Sequence, residues 1–555
     1  MASRGIGQLF ARKSVEQMHA EHAGTELKRT LGPLNLVLLG IGCIIGTGIF
    51  VLTGQAAAKY AGPAIMISFV ITGVLCAFVA LCYAELASAI PVSGSAYSYS
   101  YASMGEIVAW VMGLLLVLEY GLAASTVAVG WSGYLSDLLT HNLHLPIPPE
   151  LTAAPGVAVK DLDGNVIAHG IVNLPALIGI AGVTILLMVG ISESATVNNV
   201  IVFVKVGVVL AFIAIGVFFV SAANFSPLVP PAEGMPDAVT GIAPILPPVS
   251  GGIFGEIWQA IVDTVTGAET SRYGLSGVIH GAAVIFFAYI GFEAVSTAGA
   301  ESKNPAKDMP IGIIGSLIVC TVLYIATCYV LVGIVPYKEL NVPAPIALAA
   351  NKMGPEFEWF AVLIKVGALA GLSSVMLVLC YGQTRIFYAM SRDGLMPKVF
   401  STINPKTKSP WVNTIVVGLV AGSAAGFMSL DALSNLTNVG SLAAFAIVCL
   451  TVLYLRFARP NLARPFRMPT WLTIIVAILG AIMCAILLLS LFMGSDQQHQ
   501  DTRNFFLLYL VVGFVLYFVY GMRNSKLAKG EYITGHEPNP DLAAAGIQND
   551  DTGKK

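Results

Sequence analysis

The stretch GIGCIIGTGIF, residues 40–50, sets glycines at Gly40, Gly42, Gly46 and Gly48 inside a run, Leu36 to Leu52, that is otherwise almost wholly apolar. Such runs suit a bilayer core of about 30 Å, which takes roughly 20 apolar residues per helix. Glycine nevertheless disfavours a helix interior. Two readings stand. Gly42 and Gly46 are four residues apart, the spacing that lets two membrane helices pack closely. Alternatively the helix stops here, and Gly46-Thr47-Gly48 presents successive N–H groups at the start of a half-helix, where the dipole favours an anion such as a carboxylate. An irregular backbone at membrane depth survives only where protein or a water-filled cavity satisfies it.

The rest of the chain fits a membrane solvent. Of 555 residues 56% are hydrophobic and 11% charged, and the mean hydropathy is +0.80, far from a soluble domain. Apolar runs and breakers predict twelve spans, near 36–60, 64–90, 106–138, 173–190, 196–221, 278–298, 310–335, 358–388, 412–429, 433–456, 471–493 and 504–522. With the N-terminus inside, 21 Lys and Arg fall in inner segments and six in outer ones, Lys59, Lys160, Arg272, Lys338, Lys352 and Arg503. That bias predicts both termini in the cytoplasm. Trp359, Trp411 and Trp471 sit at span ends, as an interfacial belt requires. The expected organisation is an N-terminal segment 1–34, a ten-helix core 35–456, two further helices in 457–523, and a disordered tail 524–555.

Outer loops 139–172 and 222–277 read as lids or spacers; the first contains KDLDGNV, whose Asp-Gly is a hairpin signal. All eight cysteines lie in apolar runs without metal or redox spacing, and His19 with His22 is too isolated to argue for a metal. The net charge of −2 suggests no nucleic-acid partner, and the polar first 34 residues do not resemble a cleavable signal. No catalytic triad, metal cluster or phosphate loop argues for an enzyme, and no cofactor is expected.

Four polar residues stand out within the runs. In FFAYIGFEAVSTAGAESKNP, residues 286–305, Gly291 is followed by Glu293, an acid that is costly in lipid unless it faces a cavity or a partner. It reads either as part of a second helix break with a functional role or as a structural carboxylate. Glu119, in LLLVLEYGLAAS, lies too deep to snorkel and should face the bundle interior, in a structural pair or at a site. Lys205, five residues past Val200, either snorkels to the surface or points inward, where burial eases loss of its proton. Lys365, nearer its span end, is expected to snorkel. Interruptions in the first and sixth spans point to a transport site built on an inverted repeat, spans one to five against six to ten.

GIGCIIGTGIF, YAELASAIPVSGSAYSYSY (83–101), FFAYIGFEAVSTAGAESKNPAKDMP (286–310) and GQTRIFYAMSRDGLMP (382–397) together resemble the amino acid–polyamine–organocation superfamily, most closely the bacterial members of the cationic amino acid transporter family. The resemblance spans Lys28 to about Arg523. It implies an all-α membrane protein of the bacterial inner membrane with a LeuT-type five-plus-five inverted repeat, broken helices 1 and 6, and amino acid import by proton symport. An exchanger with the same fold is the alternative. Protons, an amino acid and membrane lipids are the implied partners.

Carried onto this chain, the substrate carboxylate meets the amides of Gly46, Thr47 and Gly48, and its ammonium the carbonyls of Ile44, Phe287 and Ile290, with the Phe287 ring as a gate. Lys205 takes the place of a coupling lysine, with Gly42 and Ser373 or Ser374 as neighbours. Glu119 faces the substrate region and Glu293 lies just past the second break; Met376, if it lines the pocket, favours smaller or neutral side chains.

Overall fold

The computed structural model describes residues 6–13, 31–92, 94–145, 147–160, 166–190, 195–234, 252–266, 271–404, 407, 409–493 and 497–529. His19, His22, the Asp-Gly pair at 163–164 and the tail after 529 lie outside the described residues. Among the described residues nine helical stretches are long and apolar enough to cross a membrane, and three shorter apolar helices, Pro33–Ile44, Leu174–Val189 and Trp411–Phe427, accompany them.

Chain order begins with α1 (Pro33–Ile44) and, after a break, α2 (residues 48–61), which alternates π and α geometry. Gly62, at φ 59°, and Pro63 then turn the chain into α3 (Ile65–Ala89). The short α4 (Ser95–Ser103) leads to α5 (Glu106–Asn142), a long helix with a π segment at Leu118–Leu122. Next come α6 (Leu174–Val189) and α7 (Ala195–Gly216). The second long loop contains a 15-residue helix, α8 (Gly252–Thr266), where only a lid or spacer was expected. Its apolar and polar residues segregate to opposite faces, and at 15 residues it is too short to cross a bilayer.

α9 (Gly274–Ile285) runs into a 3-10 turn at Phe286–Tyr289 and, past a break, a second 3-10 segment, Glu293–Glu301. The remaining helices are α10 (Pro305–Ile334), α11 (Pro345–Lys352), α12 (Glu358–Arg392), α13 (Trp411–Phe427), α14 (Leu430–Ala458), α15 (Thr470–Phe492) and α16 (Gln497–Leu516). In the first long loop Ala158–Lys160 (β1) pairs antiparallel with Val166–His169 (β2), as the hairpin signal implies. Glu233–Gly234 (β3) pairs with Ser271–Arg272 (β4).

Small residues decide which helices touch. A Cβ on Gly40 would lie 2.4 Å from Ser316 Oγ of α10, and one on Gly312 would lie 2.7 Å from Leu36 Cβ, so α1 and α10 pack nearly backbone to backbone. α6 and α13 do the same through Gly418 against Thr184 and Gly426 against Leu177. Buried hydroxyls are disposed of locally: Thr72, Thr126, Thr327, Thr437 and Thr451 each donate to the carbonyl four residues earlier. In lipid this removes a free polar group at little cost. Trp359, Trp411 and Trp471 are exposed at helix starts, where an interfacial belt requires them.

Lys365 corrects its expectation. It is buried rather than snorkelling: Nζ pairs with Asp137 Oδ2 at 2.7 Å and donates to Asn142 Oδ1 at 2.7 Å. Asp137 in turn holds His141 Nδ1 at 2.8 Å. The C-terminal end of α5 supplies the carboxylate that makes snorkelling unnecessary. A cavity of about 310 Å³, lined by these four residues with Asn351, Gly354, Pro355 and Glu358, opens beside the pair. Lys365→Met should cost about 3 kcal/mol, because removing one partner of a buried pair strands the other. Chemical denaturation in detergent measures it; Asp137 retains some solvent contact, which places the loss at the low end of that range.

Candidate substrate and coupling site

α1 ends where its last amide bond, Ile45 N–H to Ile41 O, closes at 3.0 Å and Ile45 takes an extended conformation. Helical hydrogen bonding resumes with Phe50 N–H to Gly46 O at 3.3 Å. The Gly46 and Thr47 amides donate to no backbone carbonyl among the described residues, as the first turn of any helix leaves them. Thr47 Oγ1 is fully buried and has no hydrogen-bond partner among the described residues.

The second break is built to meet the first. Ile290 leaves helical geometry and Gly291 adopts φ 119°. A Cβ on Gly48 would lie 2.2 Å from Ala288 Cα, and one on Gly291 would lie 2.8 Å from the Cys43 carbonyl carbon. Each break is therefore in backbone contact with the other, and a glycine makes each contact possible. The carbonyls freed here find side chains. Tyr324 OH donates to Ile44 O at 2.8 Å, and Asn438 Nδ2 donates to Ala283 O at 2.9 Å and Val284 O at 3.1 Å. Phe287 O accepts from the Ile290 amide at 3.2 Å. Ile44 and Phe287 thus carry a partner already, and each carbonyl keeps its second lone pair. The Phe287 ring is buried among the crossing segments.

Lys205 points inward. It is fully buried, and its Nζ donates to the carbonyls of Gly42 and, at 3.2 Å, Ile45. These are carbonyls of the last turn of α1, so an ammonium there meets the negative end of a half-helix. Its stem lies along α12 at Gly371, whose Cβ position is 3.3 Å from Lys205 Cβ. Of the two serines expected near it, Ser374 is buried on α12, whereas Ser373 donates to Leu369 O of its own helix at 2.8 Å.

Met376 is buried, but its methyl lies 3.8 Å from the Cβ position of Gly179, whose other neighbour is the Trp131 ring. Val375 is the α12 side chain against Gly46, with Cγ1 at 3.5 Å from its Cβ position. Sequence reasoning missed Val375, since in an apolar run one residue's shift around a helix leaves no signal. Gly130 was also missed: a Cβ there would lie 2.6 Å from Thr47 Cγ2. Asn438 and Tyr324, polar atoms within apolar runs, were detectable.

Glu119 and Glu293 come together. Both are fully buried. Glu293 Oε2 accepts from the Gly291 amide at 2.8 Å, and its Oε1 is 3.4 Å from Tyr120 OH. Glu119, on the π segment of α5, has Glu293 and Ser441 as neighbours and makes no hydrogen bond of good geometry among the described residues. π-bulges recur at functional sites because they rotate one residue out of register.

A third cluster closes the face that carries the N-terminal segment. Lys13 Nζ pairs with Asp393 Oδ1 at 2.9 Å, Tyr97 OH donates to Asp393 Oδ2 at 2.8 Å, and the Lys526 amide donates to Asp393 O at 3.1 Å. Beside it Glu106 accepts from Tyr101 OH at 3.0 Å, Tyr517 OH at 2.9 Å and Ser525 Oγ.

A multi-span helical protein with paired helix breaks is a form shared by membrane transporters, and comparison with known proteins is consistent with it. The amino acid permease family profile matches residues 31–517, and the chain belongs to that family. It is a multi-pass membrane transporter and not an enzyme. Among its relatives are the methylthioribose transporter of Bacillus subtilis (strain 168), 41% identical over 94% of this chain and 100% of that protein, and the branched-chain amino acid permease BcaP of the same organism, 41% identical over 94% and 99%. The vacuolar cationic amino acid transporter 4 of Arabidopsis thaliana is 35% identical over 82% of this chain and 68% of its own.

Gly48→Ala is expected to cost about 1–3 kcal/mol, the range for forcing extra atoms into a packed interior. The clash is with backbone, so no rotamer relieves it. The midpoint of thermal unfolding should fall, whereas Gly32→Ala, with nothing within 4 Å, should leave it unchanged.

Proposed function

We propose that this chain is a secondary active transporter that imports amino acids across the bacterial cytoplasmic membrane by proton symport, through alternating access. The observation that carries the reading is the placement of Lys205: an ammonium held on the carbonyl end of a half-helix, at the break. Protonated, Lys205 ties α7 to the end of α1 by charge-assisted bonds; deprotonated, it loses that attraction and the tie loosens. Proton loss and helix movement are then one event.

In the same reading the chain forms twelve spans with a five-plus-five inverted repeat over 35–456, α15 and α16 being appended. Both termini are cytoplasmic, so the Asp393 cluster seals the inner mouth. The substrate carboxylate docks on the Gly46, Thr47 and Gly48 amides, and Ile44, Phe287 and Ile290 offer carbonyls to its ammonium. Thr47 Oγ1, buried without a partner among the described residues, supplies a further donor to the bound carboxylate. Glu119 and Glu293 bound the site toward α14, and Val375 limits its size on the α12 side. The relatives are named for methylthioribose, branched-chain amino acids and cationic amino acids, and an amino acid is the class common to the last two.

Purified protein in proteoliposomes should accumulate labelled amino acid under an inward pH gradient, and a protonophore should abolish the accumulation. Strict dependence on internal amino acid would instead make the protein an exchanger. Lys205→Ala should still bind substrate but lose gradient-driven accumulation; full accumulation by the variant would end the coupling role.

A further inference from the structure

We propose that the face carrying the N-terminal segment holds a binding site for the phosphate of an anionic phospholipid, formed by Arg459 and Arg467 over the buried cluster of Arg456, Glu85 and Arg464 at the junction of α14 and α15. The argument starts from a charge imbalance. Glu85, at the end of α3, is the one carboxylate that pairs with these arginines among the described residues: Arg456 Nη2 lies 2.5 Å from its Oε2 and Arg464 Nε 3.4 Å from its Oε1. Two guanidinium groups thus share one acid in a largely water-free setting, and Arg456 leaves Nε and Nη1 buried without a partner among the described residues. Arg459 and Arg467 add two more positive charges and make no ion pair among the described residues. Burial, with Arg456 and Arg467 close by, pulls the Arg464 guanidinium below its ordinary value. The cluster carries a net positive charge that an anion bound at Arg459 and Arg467 would balance.

The loop is ordered to receive one. Arg464 Nη1 donates to Leu462 O at 2.9 Å, and its Nη2 to Leu455 O and Arg459 O, both at 2.9 Å. Arg456 Nη2 also donates to Met468 O at 2.9 Å, and the Phe466 amide donates to Ser88 Oγ at 3.3 Å. The segment from 459 to 468 is therefore pinned to α3 and α14, which fixes where Arg459, half-buried, and Arg467, exposed, emerge. Arginine forks suit phosphate oxygens.

The surroundings point to a lipid as the source of that phosphate. Phe457, 68% exposed, and Trp471, 65% exposed, flank the arginines, and Leu450 continues the apolar surface along α14. Exposed Trp at a helix start marks the headgroup level. An acyl chain would lie on this apolar ledge while its phosphate meets the cations, an arrangement characteristic of basic pockets at helix ends. A soluble phosphate makes no use of the ledge. The proposal stands independently of the transported substrate.

The test is native mass spectrometry of the full-length protein titrated with dioleoylphosphatidylglycerol, with dioleoylphosphatidylcholine as comparison. The wild type should retain phosphatidylglycerol preferentially, and Arg459→Gln and Arg467→Gln should each weaken its retention by about fivefold. Both side chains emerge from the packed loop, so the variants should fold; Lys398→Gln, an exposed cation elsewhere, should bind as the wild type does. Equal retention by wild type and both arginine variants would overturn the proposal, as would an equal loss in Lys398→Gln. Millimolar inorganic phosphate should not displace the lipid; full displacement would reassign the site to a soluble phosphate and overturn the lipid as its occupant.

Discussion

The contact between the two helix breaks is the constraint on which the rest depends. Hydrocarbon offers no hydrogen bonds, so each carbonyl and amide released at Ile45–Gly46 or at Ile290–Gly291 must be met by protein or by cargo. The chain meets that demand by bringing the breaks together. Gly48 rests on Ala288 and Gly291 on Cys43, so each break forms part of the other's wall. Tyr324, Asn438 and Lys205 then take up carbonyls from three other helices. α7, α10 and α14 are held in place relative to the breaks by those bonds, and the surrounding packing follows from them.

What remains without a protein partner at the breaks is informative because so much else is satisfied. Most buried hydroxyls turn back on their own helices, and even Lys365 finds a carboxylate. At the breaks and beside them the Gly46 and Thr47 amides, the Thr47 hydroxyl and the Glu119 carboxylate lack a hydrogen-bond partner among the described residues. Buried polar groups without partners are costly. A protein that keeps several near one another has a use for them that a fully packed core would forbid.

Much of this was legible in the sequence, and the parts that were not share a cause. Glycine pattern and helix-breaking acid located both interruptions, because backbone irregularity demands particular residues. Lys205 was readable only as a choice between snorkelling and burial, since the deciding partners, Gly42 and Ile45, lie more than 150 positions away in the chain. Lys365 went the wrong way for the same reason: Asp137, which neutralises it, lies on another helix. Val375 could not be told from Met376, because a 100° rotation around α12 is invisible where every neighbour is apolar. α8 escaped because its apolar face is too short for a span.

Asp393 gathers three distant parts of the chain. Its side chain and carbonyl bind Lys13, Tyr97 and Lys526, so the start of the chain, the α3–α5 connection and the segment after α16 converge on one residue at the end of α12. Lys13 is therefore part of the packed face rather than of a loose end. Removing the segment that carries Lys13 leaves the buried Asp393 carboxylate without its cation, so a transport rate measured on such a shortened protein reports a differently balanced face.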